Sequence, residues 1–107
     1  MPLVRIEYDN EKVTEEETRS LSNGVRDIVS EVTEIEDVFV YANSSQIKIK
    51  VAPIEVFVEM SAHKIKDADQ LIGEIKSRLT EWKESNSFAH PLNLTLIPMN
   101  WKVEIGI

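Results

Sequence analysis

The feature that most constrains this chain is a strand–helix–strand pattern that occurs twice at a fixed spacing. In each half, residues alternating between apolar and polar precede a stretch whose apolar residues recur every three or four positions. Ile6 and Phe57 hold corresponding strand positions 51 residues apart, and Leu21 and Ile72 hold corresponding helix positions at the same separation. Because parallel strands require a crossover helix, the pattern predicts an α+β fold in which two fused β-α-β units form one mixed sheet with both helices on one face.

Local signals predict the bounds of each element. Thr14 with Glu17, and Asp67 with Gln70, have the spacing of a helix-capping box. The expected elements are strand 2–8, a helix after Thr14, strand 37–42, a return strand 46–51 after a turn, strand 54–60, a helix after Asp67, strand 92–96 and a last strand 101–105. We expect one domain, 1–107, with pseudo-repeats of roughly 1–51 and 52–107.

Composition excludes several classes of function. The 107 residues carry a formal net charge of -7, and the lysines and arginines are scattered, which disfavours binding to nucleic acid. The chain has no cysteine and its two histidines are isolated, so we expect no metal and no other cofactor. No stretch approaches the roughly 18 apolar residues of a membrane span, and no signal segment is evident, so we expect a cytoplasmic protein without membrane contact.

Pro2 is the candidate catalytic residue. Removal of Met1 would leave a secondary amine at the start of the chain, and an α-amino group has the lowest ordinary pKa among protein amines, near 7.7–8.0. Apolar surroundings or a nearby cation would lower that pKa further and give a neutral base at working pH. The alternative is that Pro2 is only the first residue of an edge strand, where no backbone N–H is needed for a hydrogen bond within the sheet.

The opening residues Met1-Pro2-Leu3-Val4, the segment 9–16 and the doubled unit resemble the tautomerase superfamily, which includes 4-oxalocrotonate tautomerase and macrophage migration inhibitory factor. As architecture the resemblance covers essentially the whole chain, and it looks closest to an uncharacterised bacterial branch. It implies a keto–enol isomerase whose N-terminal proline is the base for a small 2-keto or enol acid. It also implies a homotrimer.

The resemblance assigns further binding residues only in part. Lys12 lies where short tautomerases carry an arginine for the substrate carboxylate, and a lysine pairs with a carboxylate only as a point charge. Phe39 stands where those enzymes place the arginine that polarises the substrate carbonyl. After the third strand, His63 or Lys64 would supply the missing charge or hydrogen bond, and the alternative for both is a solvated loop.

Two other interpretations stay open. The first keeps the fold but not the chemistry, as a non-catalytic trimer that binds a small molecule or a protein, because Phe39 removes the usual oxyanion donor. The second is a ferredoxin-like regulatory module, in which the same element order gives an antiparallel sheet. Retention of Met1 would favour the first, and the strand order decides the second.

Overall fold

The computed structural model describes residues 1–107 and contains four strands, two α-helices and one short 3-10 helix. The elements, in chain order, are β1 (Leu3–Tyr8), α1 (Glu15–Thr33), β2 (Phe39–Asn43), β3 (Ile54–Ser61), the 3-10 helix (Ala62–Lys64), α2 (Ala68–Ser85) and β4 (Asn93–Met99). The predicted α+β class is confirmed. Neither helix is long and apolar enough to cross a membrane.

The strands form one mixed sheet in the order β2-β1-β3-β4. Within each unit the two strands are parallel neighbours, β1 beside β2 and β3 beside β4. The units meet where β1 and β3 pair antiparallel, with Leu3 opposite Glu59 and Tyr8 opposite Ile54. This order keeps each unit intact instead of interleaving the two, so the ferredoxin-like alternative is wrong.

Both helices begin where the sequence predicts. Thr14 and Glu17 form a complete capping box: Glu17 N donates to Thr14 Oγ1 at 3.1 Å, and Thr14 N donates to Glu17 Oε1 at 2.9 Å. At α2 only half of the predicted box forms, because Gln70 N donates to Asp67 Oδ1 while the Gln70 side chain donates to Glu74. Each cap satisfies an amide that the helix itself leaves without a partner.

The core lies between the two helices and one face of the sheet. Even-numbered residues of β1 and β3 point into it, and the apolar faces of α1 and α2 cover them. The central members are Val4, Ile6, Val56, Val58, Leu21, Val25, Val29, Ile75 and Leu79. The opposite face, formed by odd-numbered residues, carries no helix, and we call it the open face.

A glycine brings the two helices together. A Cβ at Gly24 of α1 would lie 2.5 Å from Nε1 and 2.6 Å from Cε2 of Trp82 on α2, so no larger side chain fits without displacing the indole. The ring of Trp82 also packs against that of Phe88, with 5.3 Å between the ring centres. Gly73 of α2, by contrast, meets nothing within 4 Å.

The predicted return strand 46–51 is wrong. The end of β2 and the start of β3 lie at the same end of β1, with Asn43 opposite Glu7 and Ile54 opposite Tyr8. The connection therefore only has to cross the end of β1, and it does so without forming a strand. Ile49 is 95% exposed, and the segment is held by Lys48, whose Nζ donates to Asp9 Oδ1 at 3.0 Å.

The predicted last strand 101–105 is also wrong as a strand within this chain. Residues 100–107 follow β4 without joining the sheet, and Ile105 is 80% exposed. The alternation of apolar and polar residues is present, but no strand of the same chain lies beside it. A strand needs a neighbour to satisfy its backbone groups, so the pattern alone does not produce one.

Candidate functional site

The sheet has two ends, and they carry different residues. The start of β1, the start of β2 and the ends of β3 and β4 meet at one end, which we call the Pro2 end. The end of β1, the start of α1 and the 44–53 connection meet at the other, which we call the Asp9 end. β1 spans six residues, so the two ends lie about 20 Å apart.

Pro2 is buried at the first of these ends. Its side chain is less than 2% exposed, and its carbonyl oxygen accepts a hydrogen bond from Phe39 N at 3.2 Å. In this chain its nitrogen forms the amide with Met1 and therefore has no basicity. Continuing the β1–β3 register by one residue places Pro2 opposite Met60, a buried methionine, so the ring lies in apolar surroundings.

A cavity of about 490 Å³ opens on the helix side of the Pro2 end. The end of α1, the start of α2 and Met60 form its walls, and its charged lining consists of two lysines, Lys64 and Lys66, and three acidic residues, Glu34, Asp67 and Glu74. Of the predicted binding residues, Lys64 is the one that lines this cavity; His63 is exposed on the 3-10 helix and does not. No group of three or more histidine or acidic side chains converges as metal ligands would.

Phe39 lies at the same end, on the open face. It is 45% exposed, pairs with Leu3, and also borders a groove between β2 and α1 that contains Arg19 and Arg26. Its phenyl ring offers no hydrogen-bond donor to a substrate oxygen. The predicted residues Pro2, Phe39, His63 and Lys64 are therefore brought to one end of the sheet.

Lys12 is placed elsewhere. It lies in the exposed loop between β1 and α1, at the Asp9 end, so it cannot reach Pro2 of its own chain. The loop is organised by Asp9, which is buried and binds both Glu11 N and Lys48 Nζ, each at 3.0 Å. The hydrogen bond from the Glu11 amide, followed by that from Lys48, lowers the pKa of Asp9 below its ordinary value.

Glu17 is the other carboxyl group whose pKa is shifted, and it is part of the capping box of α1. Glu17 uses one oxygen for the Thr14 amide and the other for His90 Nε2, at 2.8 Å. The hydrogen bond from the Thr14 backbone and then that from His90 lower the pKa of Glu17. This contact joins the start of α1 to the loop before β4, away from the Pro2 end, and is structural.

Arg5 is a charged residue on the open face to which the sequence reasoning gave no role. Its Nε donates to Glu59 Oε2 at 2.7 Å, and its guanidinium carbon lies 4.8 Å from the centre of the Phe57 ring. Arg5 is the arginine on β1 and lies on the same face as Phe39. Glu59 neutralises the charge of Arg5 at close range, which weakens the attraction of Arg5 for a substrate carboxylate.

Ser61 and Trp101 form a further contact that sequence reasoning missed. Trp101 Nε1 donates to Ser61 Oγ at 2.8 Å, which fixes the indole beside the end of β3. Nothing in the sequence pairs Trp101 with Ser61. The pairing arises because β3 and β4 run parallel and end together, with Ser61 opposite Met99.

Comparison with solved structures identifies the fold, whereas comparison by sequence finds no match. No protein-family model matches, and no curated protein matches. Among solved structures, a malonate semialdehyde decarboxylase has a TM-score of 0.70 at 10% identity over 98% of this chain and 92% of its own. A wild-type fused 4-OT, solved as a symmetric trimer, has a TM-score of 0.69 at 14% identity, over 98% of this chain and 94% of its own.

A macrophage migration inhibitory factor-like protein from Entamoeba histolytica has a TM-score of 0.59 at 17% identity, over 96% of this chain and 93% of its own. Each likeness covers more than nine-tenths of both chains, so the whole architecture is shared. Identities this low establish the fold and not the activity.

Proposed function

We propose that this chain, which has the tautomerase-superfamily fold, is a keto–enol isomerase whose base is the amine of Pro2 after Met1 is removed. The observation that carries the proposal is the placement of Pro2. Pro2 is less than 2% exposed just before β1, and it lies opposite Met60, which lines a cavity that also contains Lys64. Apolar surroundings lower the pKa of an amine, because burial disfavours its charged form.

The chemistry needs only proton movement. The neutral Pro2 amine accepts the O–H proton of an enol acid, and the resulting ammonium delivers a proton to the carbon of the former C=C bond, which leaves the keto acid and the free amine. Lys64, from the cavity wall, and Lys12 of a neighbouring copy provide the positive charge for the substrate carboxylate. The proposed substrate is therefore a small 2-keto or enol acid.

A homotrimer follows as part of the proposal. Lys12 reaches a Pro2 site only if a second copy supplies it, because the two residues lie at opposite ends of β1. The solved fused 4-OT structures are trimers, and the open face of this chain exposes Phe39 and Tyr41. The exposed apolar residues of segments 46–51 and 101–107 suit contact with a neighbouring copy.

The mass of untagged protein from its own host is the first test, since only a chain lacking Met1 has the amine. On that material, ketonisation of phenylenolpyruvate should be fast, and Pro2→Ala should lower kcat at least about 100-fold. Pro53→Ala, which alters the proline before β3, is the matched control and should retain activity. Full activity in Pro2→Ala would contradict the proposal.

Retention of Met1 in the host would instead support the second candidate, a non-catalytic scaffold of the same fold. That candidate is favoured by one observation, the phenyl ring of Phe39 at a position where the resemblance calls for an arginine. Binding of 2-keto acids without turnover would be its signature.

Sharing of the site between copies has a separate test. Pro2→Ala and Lys12→Ala chains are each expected to be inactive, and their 1:1 mixture, unfolded and refolded together, should regain about a quarter of the wild-type activity, because random assembly gives that fraction of sites both native residues. A mixture no more active than its parents would show that Lys12 does not serve a neighbour's Pro2.

A further inference from the structure

We propose that Ser61 donates a hydrogen bond to the carbonyl oxygen of the substrate and that Trp101 positions the Ser61 hydroxyl for this role. The inference rests on the proposed function, because it assigns a further residue to the same site. Its basis is the contact between Trp101 Nε1 and Ser61 Oγ, 2.8 Å long, between side chains 40 positions apart and half-buried.

The Ser61 hydroxyl has an uncommitted proton. A serine hydroxyl has one hydrogen to donate and two lone pairs, while an indole N–H can only donate. Trp101 therefore occupies a lone pair and leaves the hydrogen of Ser61 directed elsewhere. Most other hydroxyls that form side-chain hydrogen bonds donate their proton to a carbonyl oxygen of their own helix, namely those of Thr18, Ser22, Thr33 and Thr80.

The location of Ser61 relates it directly to the reacting amine. Continuing the β1–β3 register from the Leu3–Glu59 pair places residue 61 opposite residue 1. Opposed residues of antiparallel strands have Cα atoms about 4.5–5.5 Å apart. Removal of Met1 therefore empties a space that Ser61 borders and exposes the Pro2 nitrogen to the same space.

The site otherwise lacks a donor on this side. Phe39 contributes an apolar ring, and Arg5 lies three residues beyond Pro2 along β1, about 10 Å away, with its Nε bound to Glu59 at 2.7 Å. An uncharged hydroxyl polarises a carbonyl without offering a second site for the carboxylate, which Lys64 holds from the cavity. With Phe39 and Trp101 on either side, the site favours a 2-oxo acid that carries an apolar or aromatic substituent.

A binding measurement tests the inference without depending on turnover. The chain has two tryptophans, so proton–nitrogen NMR gives two indole signals, and Trp101→Phe assigns them. Trp82 packs against Gly24 on the helix side and is the internal control. Phenylpyruvate added to Met1-free protein should move the Trp101 signal and leave that of Trp82 in place; an unmoved Trp101 signal at saturation would overturn the proposal.

Variants at Ser61 separate its role from packing. Ser61→Ala should move the Trp101 signal of the free protein, weaken phenylpyruvate binding about threefold, and lower kcat for phenylenolpyruvate about 100-fold with KM little changed. Ser61→Thr keeps a hydroxyl and should recover most of the activity. Thr95→Ala removes an exposed hydroxyl from the same face and is the matched control.

The outcomes distinguish the two proposals. An inactive Pro2→Ala with a fully active Ser61→Ala would overturn the role of Ser61 alone. An active Pro2→Ala would overturn the proposed base, and the NMR titration would still decide whether Ser61 contacts the oxo acid. Equal phenylpyruvate affinity in wild type and Ser61→Ala would reject the contact.

Discussion

Substitution of Gly24 by alanine provides a sharp test of the packing between the helices. Alanine is favoured over glycine in a helix interior by about 1 kcal/mol, so propensity alone predicts a more stable protein. The structure predicts the opposite, because the added Cβ would lie 2.5 Å from Nε1 and 2.6 Å from Cε2 of Trp82. An ordinary contact is about 3.5–4.0 Å, so the rigid indole has to move by about 1 Å.

The two effects can be weighed. Overpacking of a core by one carbon costs about 1–3 kcal/mol, and the upper end applies here because the indole also packs against Phe88 and has little room to move. After the gain in helix propensity, Gly24→Ala should lower the free energy of unfolding by about 2 kcal/mol. Gly73→Ala is the matched control: nothing lies within 4 Å of its added Cβ, so it should raise that free energy by about 1 kcal/mol.

Urea unfolding at one fixed protein concentration measures both variants, since an oligomer's apparent stability depends on concentration. A double variant, Gly24→Ala with Trp82→Leu, should lose less stability than the sum of its single changes, because the smaller side chain removes the clash. If Gly24→Ala proves as stable as Gly73→Ala, the close approach of the helices is wrong.

Three further predictions concern the loops and caps. Thr14→Ala removes the side-chain acceptor at the start of α1 and should lower the free energy of unfolding in urea by about 1 kcal/mol. The folded-state pKa of Glu17 lies below its ordinary 4.5, so its stabilising contribution is complete above that pH and is lost as the pH falls further. Glu17→Gln should therefore flatten the acid side of a Tm-against-pH curve, and an unchanged slope would contradict this account. Asp9→Asn removes the charge partner of Lys48, so trypsin should cleave after Lys48 faster than in wild type; equal rates would mean that another contact holds the connection.

The spacing of apolar residues and the helix-capping boxes predicted the strands of the sheet and the helices. Both signals depend on residues that are near one another in the sequence. The alternation of Val4 and Ile6 reflects burial of one sheet face, and the Thr14–Glu17 box is complete within four residues. The same alternation wrongly predicted strands around Ile49 and Ile105. It shows that a segment suits a strand, but whether a neighbour lies beside it depends on topology.

The candidate site could be predicted only in part for the same reason. Pro2 is recognisable from its position in the sequence, and Lys64 from its place after β3. The contact of Ser61 with Trp101 depends on β3 and β4 ending together, and the separation of Lys12 from Pro2 depends on the length of β1. Neither the Ser61–Trp101 contact nor the separation of Lys12 from Pro2 can be predicted from a local sequence pattern.

The antiparallel junction of β1 and β3 gives the molecule an approximate internal two-fold symmetry. The 51-residue offset carries Pro2 onto Pro53, which precedes β3 as Pro2 precedes β1, and Pro53 accepts a hydrogen bond from Asp9 N at 3.0 Å. Pro53 is joined on both sides to the chain, so no trimming can free its nitrogen. The duplicated scaffold therefore has two equivalent proline positions, but only Pro2 can become a free amine. Because Pro53 cannot take the same catalytic role, the residues around it, Asp9 and Lys48, are not constrained to form a second copy of the Pro2 site.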